Sequence, residues 1–136
     1  LAPLKKRATT QGVYMRKISK EIAHAFNRGI TKTIGNTMTN GKEVYLHGNK
    51  IAWRSSGNGL ELTLAGWPTV TTRERLNAIL YVEGFNVKAG ESYGFYFNQK
   101  NYNQYLTKIT FNGYKTESSS KPITDNEIIT LYQGDV

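Results

Sequence analysis

"EVYLHGNKIAWR", residues 43–54, is the stretch on which the fold turns. Two runs that mix apolar and polar side chains flank Gly48-Asn49, a dipeptide suited to the two central positions of a tight hairpin turn. Pairing outward from that turn sets His47 against Lys50, Leu46 against Ile51 and Val44 against Trp53. The apolar partners then share one face, as a half-buried antiparallel pair requires. "SSGNG" (55–59) supplies a second turn, and "LELTLA" (60–65) sends Leu60, Leu62 and Leu64 one way and Glu61 and Thr63 the other. Three antiparallel strands with one apolar face follow, and such a face must be covered.

Two helical patterns supply the cover. In "RKISKEIAHAFNRG" (16–29), Ile18, Ile22, Ala25 and Phe26 recur at three- and four-residue spacing, and Gly29 stands where a left-handed cap ends a helix. His24 falls off that stripe and is expected to be exposed. In "GWPTVTTRERLNAIL" (66–80), Pro68 bars the strand from continuing, and Thr71 and Glu74 have the spacing of a capping box. Leu76, Ile79 and Leu80 form the apolar stripe of that second helix, which Gly84 ends. Between the first helix and the meander, "TKTIGNTMTNGK" (31–42) reads as a ragged strand and a turn.

Residues 93–114, "YGFYFNQKNYNQYLTKITFNGY", hold half of the chain's aromatic side chains. Tyr93, Phe95 and Phe97 alternate on one face, as do Tyr105, Ile109 and Phe111, and Asn112-Gly113 is a two-residue hairpin signal. "TESSSKP" (116–122) reads as a mobile polar link, and "DNEIITLY" (125–132) as a last strand or helical turn. The expected fold is therefore α+β: one small domain, its antiparallel sheet made of a three-strand meander plus a C-terminal aromatic hairpin, packed against two helices. Residues 15–136 make up that domain. Residues 1–14 carry Lys5, Lys6 and Arg7 without an acid ahead of Met15, and read as an added leader or an upstream extension.

The totals narrow the function classes. A chain of 136 residues can bury a core without staples, and the absence of cysteine removes disulfides and thiolate metal sites. No apolar run reaches the roughly 20 residues that span a bilayer, so a soluble, intracellular protein is expected. The formal charge is +8, of which residues 1–14 carry three, leaving a mild preference for polyanions.

At "YLHGNKIAWR", "LTLAGWPTVTTRERLNAIL" and the later "FNQK…YL…FNG", the chain resembles small proteins encoded by tailed bacteriophages, over roughly residues 15–114. The resemblance implies a phage origin and a place in the cytoplasm of the infected bacterium. It implies no activity.

The chemistry with most support is phosphate binding at the second helix. A helix start offers free N–H groups and partial positive charge. Thr71 and Thr72 add hydroxyls there, Arg73 and Arg75 add guanidinium forks, and Asn77 lies one turn on from Arg73. Tyr96, out of phase with its aromatic neighbours, together with Lys100 and Lys108, would extend the contact over the sheet. The competing explanation of "TTRERLN" is a solvated, well-capped helix, and cross-strand packing accounts for most of the rings. Catalysis has little to stand on. His24 and His47 are far apart in the chain, Asp125 and Asp135 are its sole aspartates, nothing in their spacing requires Glu61 and Glu74 to meet, and no phosphate loop or nucleophile elbow occurs. No enzyme activity, cofactor or metal is expected. The leading expectation is a non-enzymatic nucleic-acid binder. The alternatives are a host-takeover or regulatory protein that binds a bacterial protein, and a virion-associated structural protein.

Overall fold

The structure, a computed structural model, describes residues 16–85 and 91–132. The chain runs through α1 (Lys17–Arg28), β1 (Lys32–Ile34), β2 (Thr37–Thr39), β3 (Glu43–Leu46), β4 (Asn49–Ser55) and β5 (Gly59–Leu62). It continues through α2 (Val70–Val82), β6 (Glu91–Asn98), β7 (Asn103–Phe111), β8 (Thr116–Ile123) and β9 (Ile129–Tyr132). The α+β class and the meander–helix–hairpin order match expectation. The expected junction at Met15 lies outside the described residues.

Two antiparallel sheets replace the single one expected. The first has the order β1-β2-β3-β4-β5-β9, so the meander is widened by a short hairpin on one side and by the last strand on the other. The second, β6-β7-β8, is the aromatic hairpin plus a third strand. "TESSSKP" is not a mobile link: it is nearly all of β8, paired along its length with β7.

The β3–β4 hairpin forms where its sequence predicts, but one residue out of register. Leu46 pairs with Asn49 and Tyr45 with Lys50, so His47 and Gly48 are the central turn residues. Both adopt positive φ, 52° and 80°, which the tight primed turn demands. A bulge then restores the pattern. Val44 pairs with Ala52, leaving Ile51 as the extra residue, and both Ile51 and Ala52 turn inward. Trp53 pairs with Glu43 on the outward face, where its indole N–H donates to Glu61.

Helix α1 is strongly one-sided and buries Ile22, Ala23, Ala25 and Phe26. Gly29 caps it at φ 73°. Gly41 is needed for a different reason: a Cβ there would lie 2.6 Å from the Gly29 carbonyl carbon. His24 is half-buried rather than exposed.

Helix α2 is the centre of the molecule. It packs on α1, on the first sheet and on β6, so Thr72, Arg75, Leu76, Ala78, Ile79 and Leu80 are all buried. A helix enclosed on several sides carries a broader buried surface than one stripe. One continuous core therefore joins Ile22, Phe26, Val44 and Leu62 to Phe95, Leu106 and Ile123 of the second sheet.

Candidate functional site

The start of α2 was expected to grip an anion, and several of its groups are bonded within the protein. The N-cap is Thr69, whose hydroxyl accepts from the Thr72 backbone N–H at 3.1 Å. The helix thus begins two residues before the expected Thr71 cap, and no capping box forms between Thr71 and Glu74. Thr72 is fully buried, its hydroxyl 3.0 Å from that of Thr69. Thr71 is half-buried.

Arg75 departs furthest from expectation. It is 3% exposed, with Nε donating to Thr37 Oγ1 at 3.0 Å and Nη1 to Ser19 Oγ at 2.7 Å. Glu74 lies 3.7 Å from Nη1 and is the countercharge. Burial lowers the Arg75 pKa, against an upward pull from Glu74 and a further lowering by Arg16. The same Glu74 carboxylate accepts from the Arg16 backbone N–H and Nε, tying the entry of α1 to α2. Arg75 therefore reaches into the protein and holds α1, β2 and α2 together.

Arg73 and Asn77 do share a face, but that face meets the second sheet. Arg73 Nη1 donates to the Pro68 carbonyl and to Gln104 Oε1, at 3.1 and 3.0 Å, and its guanidinium stands 5.2 Å from the Phe97 ring centre. Burial lowers its pKa. Asn77 accepts from the Phe95 N–H at 2.7 Å and donates to the Phe95 carbonyl at 3.1 Å. Its amide thus supplies the pair of bonds a neighbouring strand would give and covers the β6 edge.

On the second sheet, Tyr96 is 49% exposed. Lys108 pairs directly with Tyr93, an odd step from Tyr96, so the two lie on opposite faces. Lys108 bridges Glu91 at 3.3 Å, which raises its pKa, with Tyr93 raising it further. Lys100 is exposed in the β6–β7 turn. The expected residues converge only in part: Arg73, Asn77 and Tyr96 line one open pocket of about 280 Å³ together with Glu74 and Gln99, whereas Thr71, Thr72, Arg75, Lys100 and Lys108 lie outside it.

What the sheet presents instead is a neutral outer face. The register places Tyr96, Tyr105 and Pro122 in one row, with Thr107 and Ser120 in the next, hydroxyls 2.9 Å apart. Every outward position on these strands is Ser, Thr, Asn, Gly, Pro, Tyr, Ile or Phe. The Tyr96 ring lies flat along the strand, because a Cβ on Gly94 would meet its Cε2 and hydroxyl at 2.9 Å. Phe111 adds a ring that is 42% exposed. The exposure of Tyr96 is legible from its phase in the sequence, whereas the absence of charge around it is not. Its trace there is the even-numbered run of Thr116, Ser118, Ser120 and Pro122.

A cavity of about 290 Å³ opens beside the α2 start, between Leu46–Ile51 and Leu64–Thr72, with Trp67 at its mouth. His47 and Asn49 line it, and among the described residues no lysine, arginine or carboxylate does. Among the described residues no three His, Asp or Glu side chains come together as a metal-binding group, and no helix is long and apolar enough to cross a membrane.

Residues 15–130 match the Kyanoviridae Gp96 protein family. The chain belongs to that family. The match fixes a phage origin and reaches past the expected limit at residue 114, taking in β8 and the start of β9. In this Gp96 family member, the first two of the three stretches that carry the phage resemblance meet at the cavity just described. No curated protein and no solved structure matches the chain.

Proposed function

We propose that this phage protein is a non-catalytic binding module that docks a protein partner of the host bacterium through the outer face of β6–β8. One observation carries the reading: a chain of formal charge +8 keeps an entire three-stranded face free of charge and lays tyrosine rings on it. Interface cores are depleted in charge and enriched in tyrosine and phenylalanine, whereas phosphate-binding faces need cations close by. Arg73, Arg75 and Asn77 are engaged with the protein's own groups.

Nucleic-acid binding survives as a second reading on a different surface. Lys20, Arg28 and Lys42 are exposed and meet no carboxylate among the described residues, and the Gly29–Gly41 contact brings Arg28 and Lys42 to one end of α1.

Thr107→Lys separates the two. It puts a cation in the centre of the neutral face, where it should weaken a protein partner's binding at least tenfold and strengthen phosphate binding. Capture from host lysate is expected to survive nuclease treatment and to be lost with Thr107→Lys. Capture that vanishes with nuclease, or that Thr107→Lys strengthens, overturns the proposal. Fluorescence anisotropy with duplex DNA, single-stranded DNA and RNA across a salt series reads the second surface directly.

A further inference from the structure

Among the described residues the outer edge of β8 pairs with no other strand, and its sequence is complementary to itself. β8 is the edge strand of the second sheet and is exposed from Thr116 to Pro122. The turn sets its phase. Asn112 N–H donates to the Lys115 carbonyl, so pairs alternate from there and the N–H and C=O of Thr116, Ser118 and Ser120 point away from β7. Pro122 falls in the same phase, where its missing N–H faces outward and costs β7 no bond.

We propose that two copies of the chain join through β8, antiparallel and centred on Ser119, so that the two second sheets become one of six strands. In that register Ser118 faces the partner copy's Ser120, and both lie in the hydrogen-bonding phase. Thr116 faces the partner copy's Pro122, whose carbonyl accepts. Glu117 then lies directly opposite the partner copy's Lys121, and Lys121 opposite the partner copy's Glu117, in the close, non-hydrogen-bonded pairs. A two-fold axis through Ser119 relates the copies, which makes the contact isologous and closed. The present partners of these charges are weak competitors: Lys115–Glu117 and Lys121–Glu127 are both 3.4 Å contacts, with Glu117 and Lys121 more than 60% exposed. An edge left open in this way is a template for another strand. The axis is perpendicular to the sheet, so the two neutral faces lie side by side. The inference does not depend on what that face binds.

The test is the mass of the full chain in solution, by light scattering and sedimentation, against the 15.3 kDa monomer. The unaltered chain is expected to reach twice that mass as its concentration rises. E117K sets Lys against Lys and K121E sets Glu against Glu, so each alone should be monomeric. The double variant E117K/K121E should regain the dimer, and so should an equimolar mixture of the two single variants. Ser118→Pro removes an outward N–H without touching the β7 pairing, and should be monomeric with the Tm that the unaltered chain shows at monomeric dilution. A wild-type chain that stays monomeric, a dimer indifferent to the single reversals, or a double variant that fails to recover each overturns the proposal.

Discussion

Arg75 shows what a single residue's surroundings can do to its meaning. By type and spacing it belongs with phosphate grips; by position it fills the junction of α1, β2 and α2, bonded to Ser19 and Thr37 beside Glu74. Removing the guanidinium leaves the buried Ser19 and Thr37 hydroxyls without their donor and takes one of two cations from Glu74, and breaking a buried charged group costs more than the group contributes net. Arg75→Met should therefore destabilise the fold by about 3 kcal/mol and lower the Tm by roughly 10 °C. Thermal unfolding followed by circular dichroism reads this, and an unchanged Tm would mean that the guanidinium is not buried as described. A loss of nucleic-acid binding in any Arg75 variant is then to be judged against its folded fraction. Nothing local marks this arginine as interior, since its partners lie 38 and 56 positions away.

At the scale of elements, the two helices and the central hairpin were legible because each rests on short-range spacing. Boundaries and register were less so. The α2 start offered three threonines within four positions, and spacing to Glu74 pointed to Thr71; the cap is Thr69 because Glu74 is drawn off by Arg16. Thr69→Ala should cost about 1 kcal/mol, whereas Thr71→Ala should stay within roughly 0.5 kcal/mol. Urea unfolding of the two variants compares them, and equal costs would return the cap to question. The hairpin slipped by one residue for a similar reason: Gly48-Asn49 is the better turn pair by composition, but His47 accepts positive φ while its backbone N–H is held by the Asn36 carbonyl. β8 was missed because a strand of serines carries no apolar alternation, and its order comes from the β7 register alone.

For the whole molecule, the decisive arrangement is that α2 stands between two sheets and Asn77 fastens the second of them by its edge. The candidate surface was least legible from sequence, because a neutral face emerges only after three strands are laid in register. Asn77→Ala breaks both bonds to Phe95 and leaves the β6 edge open. The amides of β6–β8 should then exchange roughly five- to thirtyfold faster, with the first sheet largely unchanged. Hydrogen exchange followed by mass spectrometry distinguishes this from uniform loosening, which would mean that the sheets open as one unit.

The last strand gives the first sheet its far edge: β9 pairs along β5, Leu62 with Ile129 and Leu60 with Leu131. A ribosome makes β5 long before it makes β9. At roughly 5–20 residues per second, several seconds pass in which Leu60 and Leu62 lie on an unprotected border of a nascent sheet. During that interval the growing chain is exposed to chaperones and to neighbouring nascent chains on the same message, and a chain released before residue 129 would keep that border for good.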